Sequence, residues 1–183
     1  LFGFLKGQWG KLFGAKYDVL LYDLTSTYFE SEPPPPDAVS KKRFGYSRDK
    51  RSDCVQVVVA LVLTPEGFPV AYEVYPGNTR DTATLGEFLD RIEKQYGKFR
   101  RTWLMDRGIP TEEMLEKMRE RGIDYLVGTP KGHLTRVEKP LLEKTWVEAR
   151  ENVRVKILQQ GPEFYVYMES QDRVAKERSM RRR

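Results

Sequence analysis

The sequence predicts an α/β domain with a mixed sheet, followed by a smaller β-rich segment. Apolar runs rich in β-branched residues alternate with amphipathic helical patterns from residue 17 to residue 130. Helical crossovers force the strands that they join into parallel pairing, whereas a four-residue turn joins two of the strands as an antiparallel hairpin. The predicted order is therefore strand, hairpin, helix, strand, helix, strand, and then the β-rich segment.

The first predicted strand covers residues 17–24 and is apolar on both faces, as in a strand buried in the middle of a sheet. It ends in an acid, Asp23. A long connection that contains four consecutive prolines follows, up to about residue 51. Residues 54–63 and 68–75 then form the predicted hairpin, around a turn with Gly67 in its fourth position.

Two amphipathic helices are predicted next, separated by a short strand at residues 102–106. The first helix has Thr79 or Asp81 as its candidate N-cap and ends at Gly97. Its apolar stripe consists of Leu85, Phe88, Leu89, Ile92 and Tyr96. The second helix begins at Thr111 and ends at Gly122. Its buried stripe consists of Met114, Leu115 and Met118, and a strand at residues 125–128 follows.

The segment beyond residue 130 has a different pattern. Residues 145–149, 152–158 and 164–168 have the composition of antiparallel strands, with a turn that ends at Pro162. A basic helical tail is predicted from about Asp172. Trp146 is either a base-stacking residue or a core residue of this small sheet, and a core position is the ordinary one for tryptophan.

Two aspartates mark the candidate site. If the first and fourth strands lie side by side and parallel, Asp23 and Asp106 both lie at their carboxyl ends, where open α/β sheets bind ligands. Adjacent carboxylates repel each other unless a divalent cation lies between them, and hard oxygen ligands favour Mg²⁺ or Mn²⁺. Two such ions, about 3.5–4 Å apart, serve phosphoryl transfer at a DNA phosphodiester. The alternative is that both acids are turn formers or helix caps.

The amino-acid composition excludes several kinds of functional site. A single cysteine, Cys54, excludes an intramolecular disulfide and a cysteine zinc cluster, and a single histidine, His133, excludes histidine-based metal sites. The longest apolar run is far shorter than a membrane span, so no membrane partner and a cytoplasmic location are expected. Because the chain starts at Leu1 and ends in three arginines, we expect it to be cut from a longer polypeptide.

The net charge of +5 is concentrated in two places. Residues 41–51, called the basic segment from here on, carry +5, residues 172–183 carry +4, and the remaining residues sum to −4. Cations spaced along an extended chain, with Phe44 and Tyr46 between them, are typical of a segment that follows a phosphate backbone. A solvated loop is the alternative. The candidate DNA-binding residues are Lys41, Lys42, Arg43, Arg48, Lys50, Arg51 and, outside the segment, Arg107.

Three motifs occur in order: YDLTSTYFE at residues 22–30, a block from residue 45 to residue 81 that ends in PGNTRD, and WLMDRGIPTEEML at residues 103–115. Together they resemble the catalytic domain of bacterial insertion-sequence transposases of the DDE type, in the subgroup with a Tyr-x2-Arg-x3-Glu-x6-Lys motif. The resemblance runs from about residue 17 to the end. It implies a ribonuclease-H-like fold, with Asp23 and Asp106 as the first two catalytic and metal-binding acids.

The resemblance also implies a domain organisation. Residues 1–16 would be the remnant of an N-terminal region, 17–130 the ribonuclease-H-like core, 131–171 the β-rich insertion and 172–183 the start of a basic helical tail. It further implies two Mg²⁺ or Mn²⁺ ions, cleavage and joining of double-stranded DNA at transposon ends and target, a homodimer in the assembled complex, and a bacterial, nucleoid-associated enzyme. Asn78, Thr79 and Asp81 match a signature of the family, although helix capping explains them equally well.

This sequence differs from the family pattern at the third acid. It is expected after the β-rich insertion, and therefore beyond residue 183, so this chain would be inactive alone. Glu177 lies four residues after Arg173 as in the family motif, but position 170 is Ser rather than Tyr. Glu143 has a retroviral-integrase-like spacing from Asp106 but lacks the arginine partner. Two alternatives stay open: a non-enzymatic DNA-binding or docking domain, and a ribonuclease-H-like nuclease that uses Glu177 or Glu143.

Overall fold

A computed structural model of the chain describes residues 2–47, 49–97, 100–129 and 138–182. The chain divides into two units, Leu1–Gly128 and Thr129–Arg183. Each unit contains one sheet, with five strands in the first and three in the second among the residues that are described.

The first unit contains the predicted mixed sheet. Its elements are α1 (Phe2–Phe13), β1 (Val19–Phe29), β2 (Val55–Leu63), β3 (Pro69–Pro76), α2 (Leu85–Tyr96), β4 (Thr102–Met105), α3 (Glu112–Glu120) and β5 (Asp124–Val127). The strand order is β3-β2-β1-β4-β5. β2 is antiparallel to both of its neighbours, and β1, β4 and β5 are parallel. The prediction of a ribonuclease-H-like sheet, with the hairpin on one edge and β1 beside β4, is confirmed.

The core lies on one face of this sheet. Along β1, Leu20, Tyr22 and Leu24 are buried, while Asp23 between them is exposed. Because side chains alternate across a strand, these apolar residues share the face that packs on α2. The predicted stripe of α2 is confirmed, since Leu85, Phe88, Leu89 and Ile92 are each at most 1% exposed. The acid therefore points away from the core.

Tyr22 anchors this core with a polar contact. Its hydroxyl lies 2.7 Å from Thr84 Oγ1, the residue before α2, and its ring packs on Phe88 at a centroid distance of 5.2 Å. Burial raises the pKa of Tyr22 to about 12. Burial also raises the pKa of Tyr75, which packs on the same phenylalanine. The neutral phenol is therefore favoured in the folded protein.

Tyr22→Phe should flatten the loss of stability at alkaline pH. An unfolded tyrosine ionises near pH 10, whereas folded Tyr22 keeps its proton to about pH 12. Its contribution is therefore complete below pH 10 and is lost as the pH rises toward 12, at up to about 1.4 kcal/mol per pH unit. Urea unfolding at pH 9, 10 and 11 measures the slope. An identical slope in the phenylalanine variant would refute this linkage.

Two local expectations were wrong. β1 extends beyond the predicted residues 17–24 to Phe29, because residues 23–29 pair antiparallel with β2. α2 is not capped by Thr79 or Asp81: Asp81 opens a short 3₁₀ helix, Asp81–Ala83, and Thr84 precedes α2 without a side-chain cap. The predicted start of α3 is confirmed, since the side chain of Thr111 accepts a hydrogen bond from the Met114 N–H.

The N-terminal helix α1 was not predicted. Its sequence contains three glycines, which disfavour helix, but Trp9 and Phe13 stack on Phe68 at centroid distances of 5.3 and 5.4 Å. Tertiary contacts thus outweigh the local preference. Neither α1 nor any other helix in the described ranges has the length and apolar character needed to cross a membrane.

The second unit contains the predicted β-rich segment. Its described elements are helical residues 138–143, β6 (Val147–Arg150), β7 (Val153–Gln160), β8 (Glu163–Ser170) and a final helix, α4 (Gln171–Arg181). The strands form an antiparallel sheet in the order β6-β7-β8. A two-residue turn with Gly161 at φ 61° joins β7 to β8, a conformation that glycine adopts without strain.

Candidate functional site

The strand register brings Asp23 and Asp106 together. β1 and β4 are parallel, and their last paired residues are Tyr22 and Met105. One step further along both chains lie Asp23 and Asp106, and both are exposed. Neighbouring strands are about 4.8 Å apart. The register therefore places the two acids side by side where the β1–β4 pairing ends, on the sheet face opposite the core.

The two carboxylates have the same local geometry. Asp23 Oδ1 accepts a hydrogen bond from the Leu24 N–H at 2.8 Å, and Asp106 Oδ1 accepts one from the Arg107 N–H at 2.7 Å. Among the described residues, neither side chain has an ion-pair partner, and neither Oδ2 has a hydrogen-bond donor. Each acid thus presents one oxygen that the protein fixes and one that it leaves available.

The loop after Asp106 is short and ordered by its own backbone. The Ile109 N–H donates to the Asp106 carbonyl at 3.1 Å, which closes a turn over Arg107 and Gly108. Ile109 is buried, at 2% exposed, and anchors the turn to the core. Arg107 is exposed next to the acid pair. The turn therefore holds Asp106 at the end of β4 and leaves one cation beside it.

No third acid joins this pair among the described residues, where no group of three or more His, Cys, Asp and Glu side chains could hold a metal ion. Glu177 lies on α4 and pairs with Arg173 at 3.1 Å. Because they are four residues apart on an exposed helix, this is an ordinary surface ion pair. Glu143 is exposed in the helical residues 138–143.

The basic segment is attached to the sheet. β3 pairs with β2 only as far as Pro76 and Val57. One residue further along β2, Arg43 takes the place of β3: its N–H donates to the Gln56 carbonyl at 3.0 Å, and its carbonyl accepts from the Gln56 N–H at 2.9 Å. The Gly77 N–H also donates to the Lys41 carbonyl at 3.0 Å. This end of the segment is thus part of the sheet edge.

Two of the segment's cations are held by protein acids. Lys41 Nζ donates to the Val74 carbonyl at 2.6 Å and lies 3.5 Å from a Glu73 carboxylate oxygen. Arg51 forms ion pairs with Asp53 at 2.9 Å and with Glu30 at 2.6 Å. The hydrogen bonds that Arg51 donates to these two acids, Asp53 first, raise the pKa of Arg51. Lys41 therefore joins the segment to β3, and Arg51 joins it to the residue that follows β1.

The other described cations of the segment have no acidic partner among the described residues. Lys42 Nζ lies 4.3 Å above the ring of Phe29. Arg43 donates to the carbonyl of its neighbour Lys42 at 3.0 Å. Lys50 is exposed at φ 60°. Arg48 lies outside the described residues, as does His133. The cations of the segment thus differ in how available they are to an anion.

A groove runs between β1 and the basic segment. It has a volume of about 670 Å³, and its lining residues are Ser26, Thr27, Tyr28, Phe29, Glu30, Ser31, Lys42 and Asp49. Asp23 lies on the same strand, six residues from Phe29, which is about 20 Å along an extended chain. One strand therefore connects the acid pair to the basic segment.

Trp146 directly precedes β6 in the second unit. Its ring packs on Tyr167 at a centroid distance of 5.6 Å and is covered by Arg154 at 4.4 Å and Lys156 at 4.8 Å. Lys156 is itself buried and donates to the Leu141 carbonyl at 3.0 Å. These contacts make Trp146 a packing residue of its sheet.

Sequence reasoning missed the residues that attach the basic segment. Gln56 interrupts an apolar strand. Gly45 lies in the basic segment, and Gly77 directly follows β3. A polar residue inside a buried strand was the available signal, because buried side-chain amides need hydrogen-bond partners.

Comparisons with known proteins identify the family. A family model described as "Transposase DDE domain" matches residues 14–178. No curated protein matches the sequence. A solved structure titled "Mos1 transposase paired-end complex with left transposon end" is similar at 13% identity and a TM-score of 0.41, covering 68% of this chain and 39% of that one.

Two further solved structures are similar. A piggyBac transposase synaptic complex with hairpin DNA matches at 12% identity and a TM-score of 0.43, over 84% of this chain and 33% of that one. A simian T-cell lymphotropic virus intasome in complex with PP2A regulatory subunit B56 gamma matches at 13% identity and a TM-score of 0.38, over 69% and 40%. The chain spans well under half the length of these structures. Since the family model covers most of its residues, the chain belongs to the transposase DDE domain family.

Proposed function

We propose that this domain is the core of an enzyme for metal-dependent cleavage and joining of DNA strands at transposon ends, with Asp23 and Asp106 as metal ligands and a third acid supplied from elsewhere. The observation that carries the proposal is the register, which sets the two exposed acids beside each other without a cationic partner among the described residues. Hard carboxylate oxygens suit Mg²⁺ or Mn²⁺, which one or two protein carboxylates bind together with water and phosphate oxygens. The residues present therefore fit such an ion.

The residues at the acid pair have separate roles in the proposed reaction. Asp23 and Asp106 each keep one oxygen fixed by a backbone N–H and offer the other to the metal. When bound, the ions activate the attacking oxygen and stabilise the leaving oxygen of a phosphodiester. Arg107 lies where it balances the negative charge of a phosphate at the pair. The turn that buries Ile109 holds these groups in place.

The basic segment is the proposed contact to the DNA backbone. It lies at the end of β1, about 20 Å along the strand from Asp23, which corresponds to about six base pairs of duplex. Cations at one end of a strand and acids toward the other let one duplex reach both. We further propose that the third acid lies outside residues 1–183, because position 170 before Glu177 is Ser rather than the Tyr of the family motif and Glu143 lacks the arginine partner.

Nicking of supercoiled plasmid DNA tests the proposal. The chain is incubated with Mg²⁺ or Mn²⁺ and compared with Asp106→Asn, Glu143→Gln and Glu177→Gln. Nicking that Asp106→Asn abolishes supports the acid pair, and nicking that survives both glutamine variants excludes them as the third acid. A chain that binds Mn²⁺ without nicking is the result expected when the third acid is missing. Equal metal-dependent nicking by the parent and Asp106→Asn would refute the assignment.

A further inference from the structure

Gln56 makes buried side-chain contacts that hold the basic segment to the sheet. It is 1% exposed, on a strand that is otherwise apolar. Its Nε2 donates two hydrogen bonds, to the carbonyl of Tyr46 at 2.9 Å and to the carbonyl of Gly77 at 2.9 Å. Tyr46 belongs to the basic segment, and Gly77 directly follows β3. One amide group therefore ties two separate chain segments to β2.

The chemistry of this junction requires a primary amide. Two carbonyl oxygens converge on Nε2, and among side chains without charge only Asn and Gln carry an NH₂ group with two donors. A carboxylate of the same shape has only acceptors and would meet two carbonyls with like partial charge. The remaining oxygen, Oε1, is buried without a hydrogen-bond partner in the described residues. Gln56 is therefore held by its two donated bonds and by the backbone bonds to Arg43.

Two glycines allow the close approach. A Cβ added to Gly45 would clash with the carbonyl oxygen of Gly77 and lie 2.8 Å from Gln56 Nε2. A Cβ added to Gly77 would clash with the carbonyl oxygens of Gln56 and Arg43. Neither glycine has a positive φ, so the space, not the backbone conformation, demands glycine here.

We propose that Gln56 is a positioning residue for DNA binding, which fixes the basic segment at the edge of the sheet so that its cations lie at a set distance from Asp23. This inference rests on the proposed role of the segment as a DNA contact. A segment that is already in its bound position loses less conformational entropy on binding than a free loop with the same charges. Gln56 contributes to DNA affinity without touching DNA.

Gln56→Glu is the direct test, because it keeps the shape of the side chain and removes both donors. At pH 8 the amide protons of Arg43 and Gly77 should exchange with solvent about tenfold faster than in the parent. The dissociation constant for a 30-base-pair duplex should rise by about tenfold. Lowering the pH to 5 should partly restore the slow amide exchange and the DNA affinity of the parent, because a buried glutamate that takes up a proton regains one O–H donor.

Two controls separate this effect from charge and from pH. Gln95→Glu makes the same charge change on α2, where the Gln95 side chain donates to the neighbouring Tyr96 hydroxyl and to no other group in the part of the chain that the structure describes, and should change neither measurement. The parent protein, measured over the same pH range, controls for the titratable and charged groups around Gln56. These are Tyr28 in register on β1, Arg43 on the segment and the Arg51–Asp53 pair near the start of β2. Asp81, which lines a cavity together with Tyr46, belongs to the same set.

A second variant keeps the test decisive if Gln56→Glu does not fold. Gly45→Ala lies in the segment itself, leaves β2 intact and should release the same amides and weaken DNA binding to a similar degree. Amides that stay protected in both variants would overturn the inference, and so would released amides with unchanged affinity. If the parent does not bind DNA, the proposed function of the segment fails instead, and the exchange rates still report whether Gln56 holds it.

Discussion

Asp106→Asn is expected to raise the melting temperature of the metal-free protein slightly and to abolish its stabilisation by Mn²⁺. The register places Asp106 beside Asp23, with no cation paired to either among the described residues, so removing one charge relieves repulsion. An ion that binds only the folded parent at a hundred times its dissociation constant stabilises it by about 2.7 kcal/mol. For a domain of this size that is a shift of about 5–10 °C.

Thermal unfolding with and without Mn²⁺ measures both effects. Asp37→Asn is the matched control, because it removes an exposed carboxylate from the proline-rich connection and should leave the response to Mn²⁺ intact. If Asp106→Asn is stabilised by Mn²⁺ as strongly as the parent is, the metal does not bind at the pair. Asp23→Asn should behave as Asp106→Asn does, since the two acids hold equivalent positions.

The second large effect concerns DNA affinity and its dependence on salt. Changing Lys42 and Lys50 to Gln should weaken binding about tenfold or more at low salt and make the slope of log affinity against log salt shallower by about two. Neither lysine has an acidic partner among the described residues, so each is available to release a counterion from DNA. Titration of a fluorescent duplex from 50 to 200 mM salt measures the slope.

The matched double variant changes Lys41 and Arg51 to Gln, two cations that already form ion pairs with acids of the protein. It removes the same charge from the same segment, and its slope should stay close to that of the parent. Equal reductions in both variants would mean that all four cations act alike and that the ion pairs open on binding. An unchanged slope in both would show that the segment does not contact DNA.

Much of the fold follows from local patterns. The stripe of α2 and the hairpin β2–β3 were predicted because helical spacing and a turn with Gly67 act over a few residues. The parallel pairing of β1 with β4 was also predicted, because helical crossover connections permit few strand orders in a sheet. That pairing made Asp23 and Asp106 a predictable pair, although the sequence put Asp23 at the end of a strand that continues to Phe29.

What could not be predicted depends on contacts between distant segments. The extension of β1 to Phe29 depends on its pairing with Val55–Val59 of β2. The helix α1 is disfavoured by its glycines and depends on ring stacking with Phe68. The basic segment resembles a solvated loop in composition, and its attachment depends on backbone bonds between Arg43 and Gln56 and on the contacts of the Gln56 side chain with Tyr46 and Gly77. Local sequence preferences do not specify such contacts between distant segments.

The alternation along β1 subjects neighbouring residues to different selection. Tyr22 and Leu24 are buried in the core, while Asp23 between them is exposed. Substitutions at the first two positions act on how much folded protein a cell contains, whereas under the proposed function a substitution at Asp23 acts on metal binding by each folded molecule. A change at Asp23 can therefore remove the proposed metal ligand and leave the fold intact, because this side chain lies outside the core.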